Sequence, residues 1–227
     1  MATITHGVTT VTSAAADTYA TAAFTPAADD VLVAFAVVTA TNTTPGTMTD
    51  DDSGTWSSIR TVDRAATMTY AFVRDTFASG AEIIVTLDVT GDTGSGCALC
   101  VARVAGLSRE GLLAVRSSGA DQGAGTTTPG LTFTGGVCLA ANTLLGCVSN
   151  GTNPAGLSEP TTPAMTEYAD TGFAVPDTGL EYAGLNSGYS NTGLFWASVS
   201  ATAWSAILVE LDTSPESTPG LLLKGVG

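Results

Sequence analysis

Short apolar runs bounded by turn-forming residues recur along the whole chain, and helical periodicity is nearly absent. Ile83, Val85 and Leu87 oppose Glu82, Thr86 and Asp88, which predicts an antiparallel strand with one buried face, and residues 204–212 show a similar alternation. Val31–Val38 is apolar at every position, which predicts a central strand covered on both faces. A chain with this pattern is restricted to a β-structure.

The pattern predicts an all-β fold: an antiparallel β-sandwich, jelly-roll-like, forming a single domain over residues 1–212. Hydrophobic residues make up 44% of the 227, which is enough for a real core. Stretches rich in glycine, threonine, aspartate or proline at residues 117–130 and 170–179 are predicted to be loops. Residues 213–227, which contain two prolines, are predicted to form a C-terminal arm.

The arm carries an apolar run, Leu221, Leu222 and Leu223, in a tail that would otherwise fray. Full burial is worth roughly 1.5–3 kcal/mol for each leucine, whereas ordering the backbone costs roughly 1–2 kcal/mol per residue. Burial alone therefore holds only part of the arm, and pairing with an edge strand of a neighbour would add main-chain hydrogen bonds. We predict that these leucines bind a partner chain.

Three phrases of the first half echo phrases of the second half in the same order. Residues 28–34 resemble residues 141–147, and Thr69-Tyr70-Ala71 resembles Glu181-Tyr182-Ala183; between them, residues 47–50 resemble residues 164–167. One interpretation is that β-proteins reuse strand–turn phrases. The other is that the chain contains two related half-sandwiches folded face to face.

The chain is strongly acidic yet poor in charge, with a formal net charge of −14 and only 12% charged residues. Because it has no cluster of lysine and arginine, nucleic acid and anionic membrane surfaces are predicted not to be partners. No apolar run approaches the roughly 20 residues of a membrane span, and residues 1–6 lack the features of a signal peptide, so synthesis in a cytoplasm is expected. So little charge indicates a surface covered by neighbours, or one kept wet by threonine and serine hydroxyls.

Two of the four cysteines form a C-x-x-C pattern, Cys97 and Cys100, which in other contexts binds zinc or carries redox chemistry. Here the pattern lies in a predicted strand, where residues three apart point to opposite faces, so the two thiols are not expected to share a metal. A disulfide from either of them to Cys138 or Cys147 is left open.

Three consecutive carboxylates, Asp50, Asp51 and Asp52, precede Ser53-Gly54 in a predicted turn and are the candidates for a calcium site. Their spacing does not fit an EF-hand, since the last-ligand position falls on Thr61. The alternative is an aspartate-capped turn that leads into the next strand. No metal and no cofactor is predicted.

The residue types needed for catalysis are scarce, and no catalytic residue is predicted. His6 is the only histidine, it lies in a predicted edge strand, and no G-x-S-x-G motif occurs. Carboxylate pairs for glycoside hydrolysis cannot be identified from one sequence, and aromatic side chains for sugar stacking are equally explained by core packing. The glutamates considered are Glu82, Glu110, Glu159, Glu167, Glu181 and Glu210, and the aromatic residues are Trp56, Trp196, Trp204, Tyr182 and Tyr189.

The order of several phrases resembles the β-sandwich proteins of tailed-bacteriophage particles. Residues 29–35 read Asp-Asp-Val-Leu-Val-Ala-Phe, where relatives have Gly-Asp-Leu-Leu-Val, and residues 50–56 resemble the family's Asp-x-x-Gly-Asn-x-Trp turn. Residues 101–107 resemble Val-x-Glu-Val/Phe-Ser-Gly-Leu, with Arg103 in place of the usual glutamate. The resemblance covers about residues 3–212, and its motifs are structural.

The resemblance implies a non-enzymatic virion structural protein, and we predict a capsid decoration (cement) protein located in the virion. Its expected partners are the major capsid protein and copies of itself, with a homotrimer predicted because threefold sites abound on icosahedral shells. Acidic charge favours the outer face, since an inner lining would repel packaged DNA. The alternatives are a tail or fibre module that binds host-surface glycans and, less favoured, a carbohydrate-active enzyme.

Overall fold

The computed structural model of the protein describes residues 2–39, 46–64, 66–90, 95–132, 138–151, 157–161, 164–174, 177–189, 193–198 and 202–214. Apart from one turn of 3₁₀ helix at Gly111–Leu113, the regular structure of these residues is β-strand, and paired strands are antiparallel, which confirms the predicted all-β sandwich class. Leu221, Leu222 and Leu223 lie outside the described residues. The strands are β1 (Thr3–Thr12), β2 (Thr18–Ala20), β3 (Val31–Val38), β4 (Thr47–Asp50), β5 (Trp56–Arg64), β6 (Thr67–Arg74), β7 (Val85–Asp88), β8 (Cys97–Ala105), β9 (Val115–Thr126), β10 (Gly130–Thr132), β11 (Thr143–Asn150), β12 (Leu157–Ser158), β13 (Thr166–Ala174), β14 (Asp177–Leu185), β15 (Gly193–Phe195), β16 (Ala197–Ser198) and β17 (Thr202–Leu211).

The N-terminal half, β1 to β8, has the topology of a jelly roll, a long antiparallel hairpin rolled into two facing sheets. First and last strands pair (β1 with β8), as do β2 with β7 and β3 with β6, while β4 and β5 are joined by a bridge between Thr49 and Thr55. The resulting sheets have the strand orders β1-β8-β3-β6-β5 and β2-β7-β4. The jelly-roll-like topology that the sequence predicted for residues 1–212 as a whole is therefore already complete within β1 to β8.

The C-terminal half, β9 to β17, repeats the same roll with one strand divided in two. Its large sheet has the order β9-β17-β11-β14-β13, and two small pairs, β10-β15 and β12-β16, face it. Strands β15 and β16 together take the place of β7, with Trp196 between them. A bridge between Thr161 and Ala164 matches the one between Thr49 and Thr55.

The two halves pack through their large sheets and share one apolar core. Phe35 and Val33 of β3 face this core from one side, and Cys147, Tyr182 and Ile207 face it from the other. The contacts are reciprocal: β1 packs on β13 as β9 packs on β5, and β8 packs on β14 as β17 packs on β6. This is the pattern of an isologous two-fold interface, here formed within one chain.

Each half also has a core of its own between its large sheet and its small strands. In the N-terminal half it contains Tyr70 and Leu99, and in the C-terminal half it contains Leu194, Trp196 and Leu208. Central strands are therefore covered on both faces, as predicted for β3. The prediction of a half-buried strand at residues 204–212 is wrong, because β17 lies between β11 and β9 and every residue of Trp204–Leu211 is buried.

The internal echo agrees with the topology of the two halves, but the echoed residues do not occupy equivalent positions. The matching phrases in β3 and β11 do fall on equivalent central strands. However, Tyr70 faces the core of its own half, whereas its echo Tyr182 faces the shared core. A shift of one residue along a strand reverses the side-chain direction, so the echoed phrases do not superimpose as aligned.

Two predicted loops are strands. Residues 117–130 are mostly β9, an edge strand paired with β17, and residues 170–179 are mostly the arms of the β13–β14 hairpin. Glycine, serine and aspartate lower strand propensity, but pairing with a buried neighbour overrides that preference. Among the described residues, no helix is long and apolar enough to cross a membrane.

Candidate functional site

The Asp50–Asp52 turn is held by bonds within the chain. Asp50 is buried at the end of β4, where its carboxylate accepts bonds from Arg74 Nε at 2.7 Å, Trp56 Nε1 at 2.9 Å and the Gly54 N–H at 2.8 Å. Asp52 accepts from Arg74 Nη2 at 3.3 Å, and Asp51 accepts from the backbone of Ile84. The Arg74 guanidinium already supplies the positive charge that balances Asp50 and Asp52. We call this turn a structural lock, because its bonds hold neighbouring strands of the fold together.

The electrostatics of Asp50 agree with that role. Burial raises the pKa of its carboxyl, but the bonds from Arg74, Gly54 and Trp56 outweigh burial and leave the pKa below its ordinary value. Asp50 is thus a carboxylate at neutral pH, paired with an arginine that is itself almost fully buried. Such a pair is costly to break from either side.

The cysteines are free thiols, and all four are buried. Cys97 faces the core of the N-terminal half and Cys100 faces the shared core, which confirms the prediction that they point to opposite faces. Burial raises the pKa of Cys100 to about 12, and burial and the nearby Glu210 carboxylate raise that of Cys138 to about 12. These thiols are therefore protonated and act as small apolar groups.

His6 belongs to a short polar chain between the two halves. Its Nδ1 lies 2.6 Å from the Tyr182 hydroxyl, and its Nε2 lies 3.4 Å from Thr9 Oγ1, which donates to Cys100 Sγ. With that direction at Thr9, Nε2 carries the proton and Nδ1 accepts from Tyr182. Burial lowers the pKa of His6, so the neutral imidazole is favoured, and the ring serves as a bridge between the halves.

The five aromatic side chains considered for sugar stacking are all buried. Trp56 lies in the core of the N-terminal half, Trp196, Trp204 and Tyr189 lie in that of the C-terminal half, and Tyr182 lies in the shared core. None of these rings presents a face on the surface.

Three of the six glutamates considered do come together, although the sequence did not pair them. Glu159, Glu167 and Glu181 each offer a carboxylate oxygen, and these three oxygens lie within 4.8 Å of one another. Glu159 follows β12, Glu167 lies on β13, and Glu181 lies on the adjacent strand β14. Glu159 is half-buried, Glu167 is exposed and Glu181 is fully buried.

Glu181 is the unusual member of this group. Its two carboxylate oxygens have no hydrogen-bond partner, and the indole N–H of Trp196, although near enough to lower the pKa slightly, falls outside hydrogen-bonding geometry. Burial and the nearby carboxylates of Asp170, Glu167 and Glu159 raise the pKa of Glu181 to about 8. The sequence carried one signal of this position, a lone acid between Leu180 and Tyr182 in an otherwise apolar strand.

Comparison with known protein families, curated proteins and solved structures finds no match. Of the candidates raised by the sequence, the aspartate turn, the cysteines, the histidine and the aromatic residues all serve the fold. The glutamate cluster is the exception, because its buried member, Glu181, has no hydrogen-bond partner for either carboxylate oxygen.

Proposed function

We propose that this protein is a non-enzymatic structural component of a tailed-bacteriophage particle, specifically a capsid decoration (cement) protein. The observation that carries the proposal is that the side chains best suited to chemistry are used inside the fold. His6 bridges the two halves, the four cysteines are buried, and the six arginines all bond to other residues of the chain. A double roll of this kind would act by contacting other molecules through its surface.

The charge of the chain supports a place on the outside of the shell. A protein with a formal net charge of −14 repels packaged DNA, whereas the outer face carries no such penalty. The order of sequence phrases shared with phage β-sandwich proteins supports the same assignment.

A surface for the partner is suggested by the position of the arm. Ser214, the last described residue, accepts a hydrogen bond through its carbonyl from Ser108 Oγ at 2.8 Å. Ser108 lines a hollow of about 220 Å³ together with Leu113, which is 75% exposed. We propose that the arm, with Leu221–Leu223, and the surface around Leu113 together contact the major capsid protein or a neighbouring copy.

Quantifying this protein against the major capsid protein in purified virions tests the location. A decoration protein is present at a copy number that is a simple fraction or multiple of the capsid protein. A count of a few copies per particle would instead favour the tail. A glycan array probed with the isolated protein tests the second candidate, a glycan-binding tail or fibre module, which the burial of the five aromatic residues makes harder to build.

Truncation after Ser214 tests the arm. The truncated protein is expected to keep its fold, because every described contact is retained, and to lose at least tenfold in affinity for capsids or for other copies. Sedimentation analysis of the full chain is expected to give a trimer. A full chain that is monomeric at micromolar concentration and does not bind capsids would overturn the proposal, and unchanged affinity after truncation would overturn the role of the arm.

A further inference from the structure

We propose that Glu159, Glu167 and Glu181 form a binding site for a hard divalent cation, with Ca²⁺ as the ion that fits their arrangement. The site lies in the C-terminal half, where the end of β12 meets the β13–β14 hairpin. The proposal is independent of the proposed place in a virion, since it concerns the isolated chain.

The buried carboxylate of Glu181 carries the argument. A fully buried carboxylate with neither oxygen hydrogen-bonded is costly, and folded proteins keep such groups when a counter-charge compensates them. The oxygens of Glu181 are directed at two further carboxylates, an arrangement that adds repulsion to the cost of burial. Protonation, which burial favours, removes the charge of Glu181 but leaves both of its oxygens without a partner, whereas a cation placed between the three groups would remove the repulsion and also bind those oxygens.

The described part of the chain does not supply that charge. The cluster receives no bond from any arginine: Arg74, Arg103, Arg109 and Arg116 pair with other carboxylates, and Arg60 with Ser118. Arg64, the sixth, donates to the Gly123 carbonyl, which lies on β9 at the far edge of the large sheet. Among the described residues, therefore, no cationic side chain occupies the position between the three carboxylates, and we assign that position to a bound ion.

The N-terminal half shows what a cation does between the corresponding strands. There β4, β5 and β6 are tied together by Asp50, Trp56 and Arg74, with the Arg74 guanidinium at the centre. In the C-terminal half, three glutamates on or next to β12, β13 and β14 come together, and no arginine bonds to them among the described residues. A bound ion would take the part that Arg74 plays and would hold the short strand β12, which has only two ladder pairs, against the large sheet.

The ligand type and spacing select the ion. Ligands that are all carboxylate oxygens favour Ca²⁺, Mg²⁺ or Mn²⁺ over zinc, which prefers nitrogen and sulfur. Mg²⁺ demands near-ideal octahedral geometry and usually keeps several waters, whereas Ca²⁺ accepts flexible shells of six to eight oxygens, so carboxylates from three separate elements favour Ca²⁺. The exposure of Glu167 leaves room for water to complete the shell.

Thermal unfolding of the full chain in EDTA and in CaCl₂ tests the site. Calcium at about 100 times the dissociation constant is expected to raise Tm by about 5–10 °C. Glu181→Gln is expected to abolish that rise while keeping the fold, because the amide has the shape of the carboxylate but cannot supply its charge to the ion. Glu82→Gln is the matched control: Glu82 is exposed and outside the cluster, so the full calcium response should remain.

Terbium luminescence locates the ion. Because the indole of Trp196 lies beside Glu181, bound Tb³⁺ is expected to be sensitised by tryptophan excitation and displaced by calcium. Glu167→Gln, a change at an exposed position, is expected to weaken Tb³⁺ binding at least tenfold without affecting Tm in EDTA by more than about 1 °C. The proposal is overturned if calcium does not change the Tm of the unsubstituted chain, or if Glu181→Gln responds like Glu82→Gln. An equal response to Mg²⁺ and Ca²⁺ would overturn the choice of ion.

Discussion

At the scale of single residues, the fold depends on a few buried polar groups whose partners are distant in sequence. Arg74 is almost completely buried and contacts Asp50, Asp52 and the carbonyl of Phe77. Glu210, also buried, accepts bonds from Arg116, Ser117, Asn142 and the Leu139 N–H. Such networks specify one arrangement of strands, because a buried charge without its partners is strongly destabilising.

The Asp50–Arg74 pair gives the first prediction. Asp50→Asn removes the charge but keeps the shape, and should lower the free energy of unfolding by about 3–5 kcal/mol at pH 7, since Arg74 is left buried without its counter-ion. Asp52→Asn, which acts on the same arginine from a partly exposed position, should cost no more than about 1 kcal/mol. Urea unfolding of both variants measures the difference, and equal losses would contradict the structural lock.

The same pair predicts the effect of acid. Because the folded pKa of Asp50 lies below its ordinary value of about 3.9, its contribution is complete above that value and is lost as the pH falls through the folded pKa. The stability difference between the natural chain and Asp50→Asn should therefore be constant from pH 7 to about 5 and shrink below about 4. A stability difference between the two proteins that grows as the pH falls would show that the folded pKa of Asp50 is not lowered.

At the scale of elements, edge strand β9 depends on glycine for close packing. A Cβ at Gly123 would lie 2.8 Å from three atoms of the Trp204 ring on β17, closer than side chains approach one another. Gly123 therefore permits β9 to pair with the buried strand β17. The residues Ser117-Ser118-Gly119 of the same strand have a composition typical of a loop, although they too are paired with β17.

Gly123→Ala should accordingly destabilise the protein by about 1–3 kcal/mol through overpacking. The matched control is Gly151→Ala, where the nearest atom to the added Cβ lies 3.6 Å away on Thr202, an ordinary contact, so its effect should stay within about 1 kcal/mol. Thermal or urea unfolding separates the two. Similar losses for both variants would mean that the approach of Trp204 to β9 does not limit stability.

At the scale of the whole molecule, the two rolls are joined by more than the shared core. Arg60 and Arg64 of β5 donate to Ser118 and Gly123 of β9, and Thr69 bonds to Ser149 at 2.7 Å. On the opposite side of the interface, the N–H of Ile4 donates to Asn186. The large sheets thus meet through apolar packing in the middle and polar bonds at both edges.

This interface predicts a single cooperative unfolding transition. Unfolding one half would expose the apolar face of the other large sheet, so partly unfolded states should not be populated. Calorimetry should give equal calorimetric and van't Hoff enthalpies, and Phe35→Ala in the shared core should lower the midpoint without splitting the transition. Two resolved transitions, in either protein, would show that the halves are energetically independent.

The sequence by itself determined the features that are written into neighbouring residues. Apolar positions on both faces of Val31–Val38 predicted a central strand, and the three-residue spacing of Cys97 and Cys100 predicted thiols on opposite faces, because side-chain direction in a strand follows from local geometry. The all-β class followed from the recurrence of such segments.

Only the tertiary structure decided which distant residues meet. The pairing of β9, the doubling of the jelly roll, the Asp50–Arg74 pair and the cluster of Glu159, Glu167 and Glu181 all depend on contacts between residues far apart in the chain. Taken alone, the glycines and serines of β9 look like turn formers, and Asp50 and the three glutamates look like solvated acids. Their roles emerge from long-range pairing, because burial and neighbouring charge, which set the energy of a polar group, are properties of the folded environment.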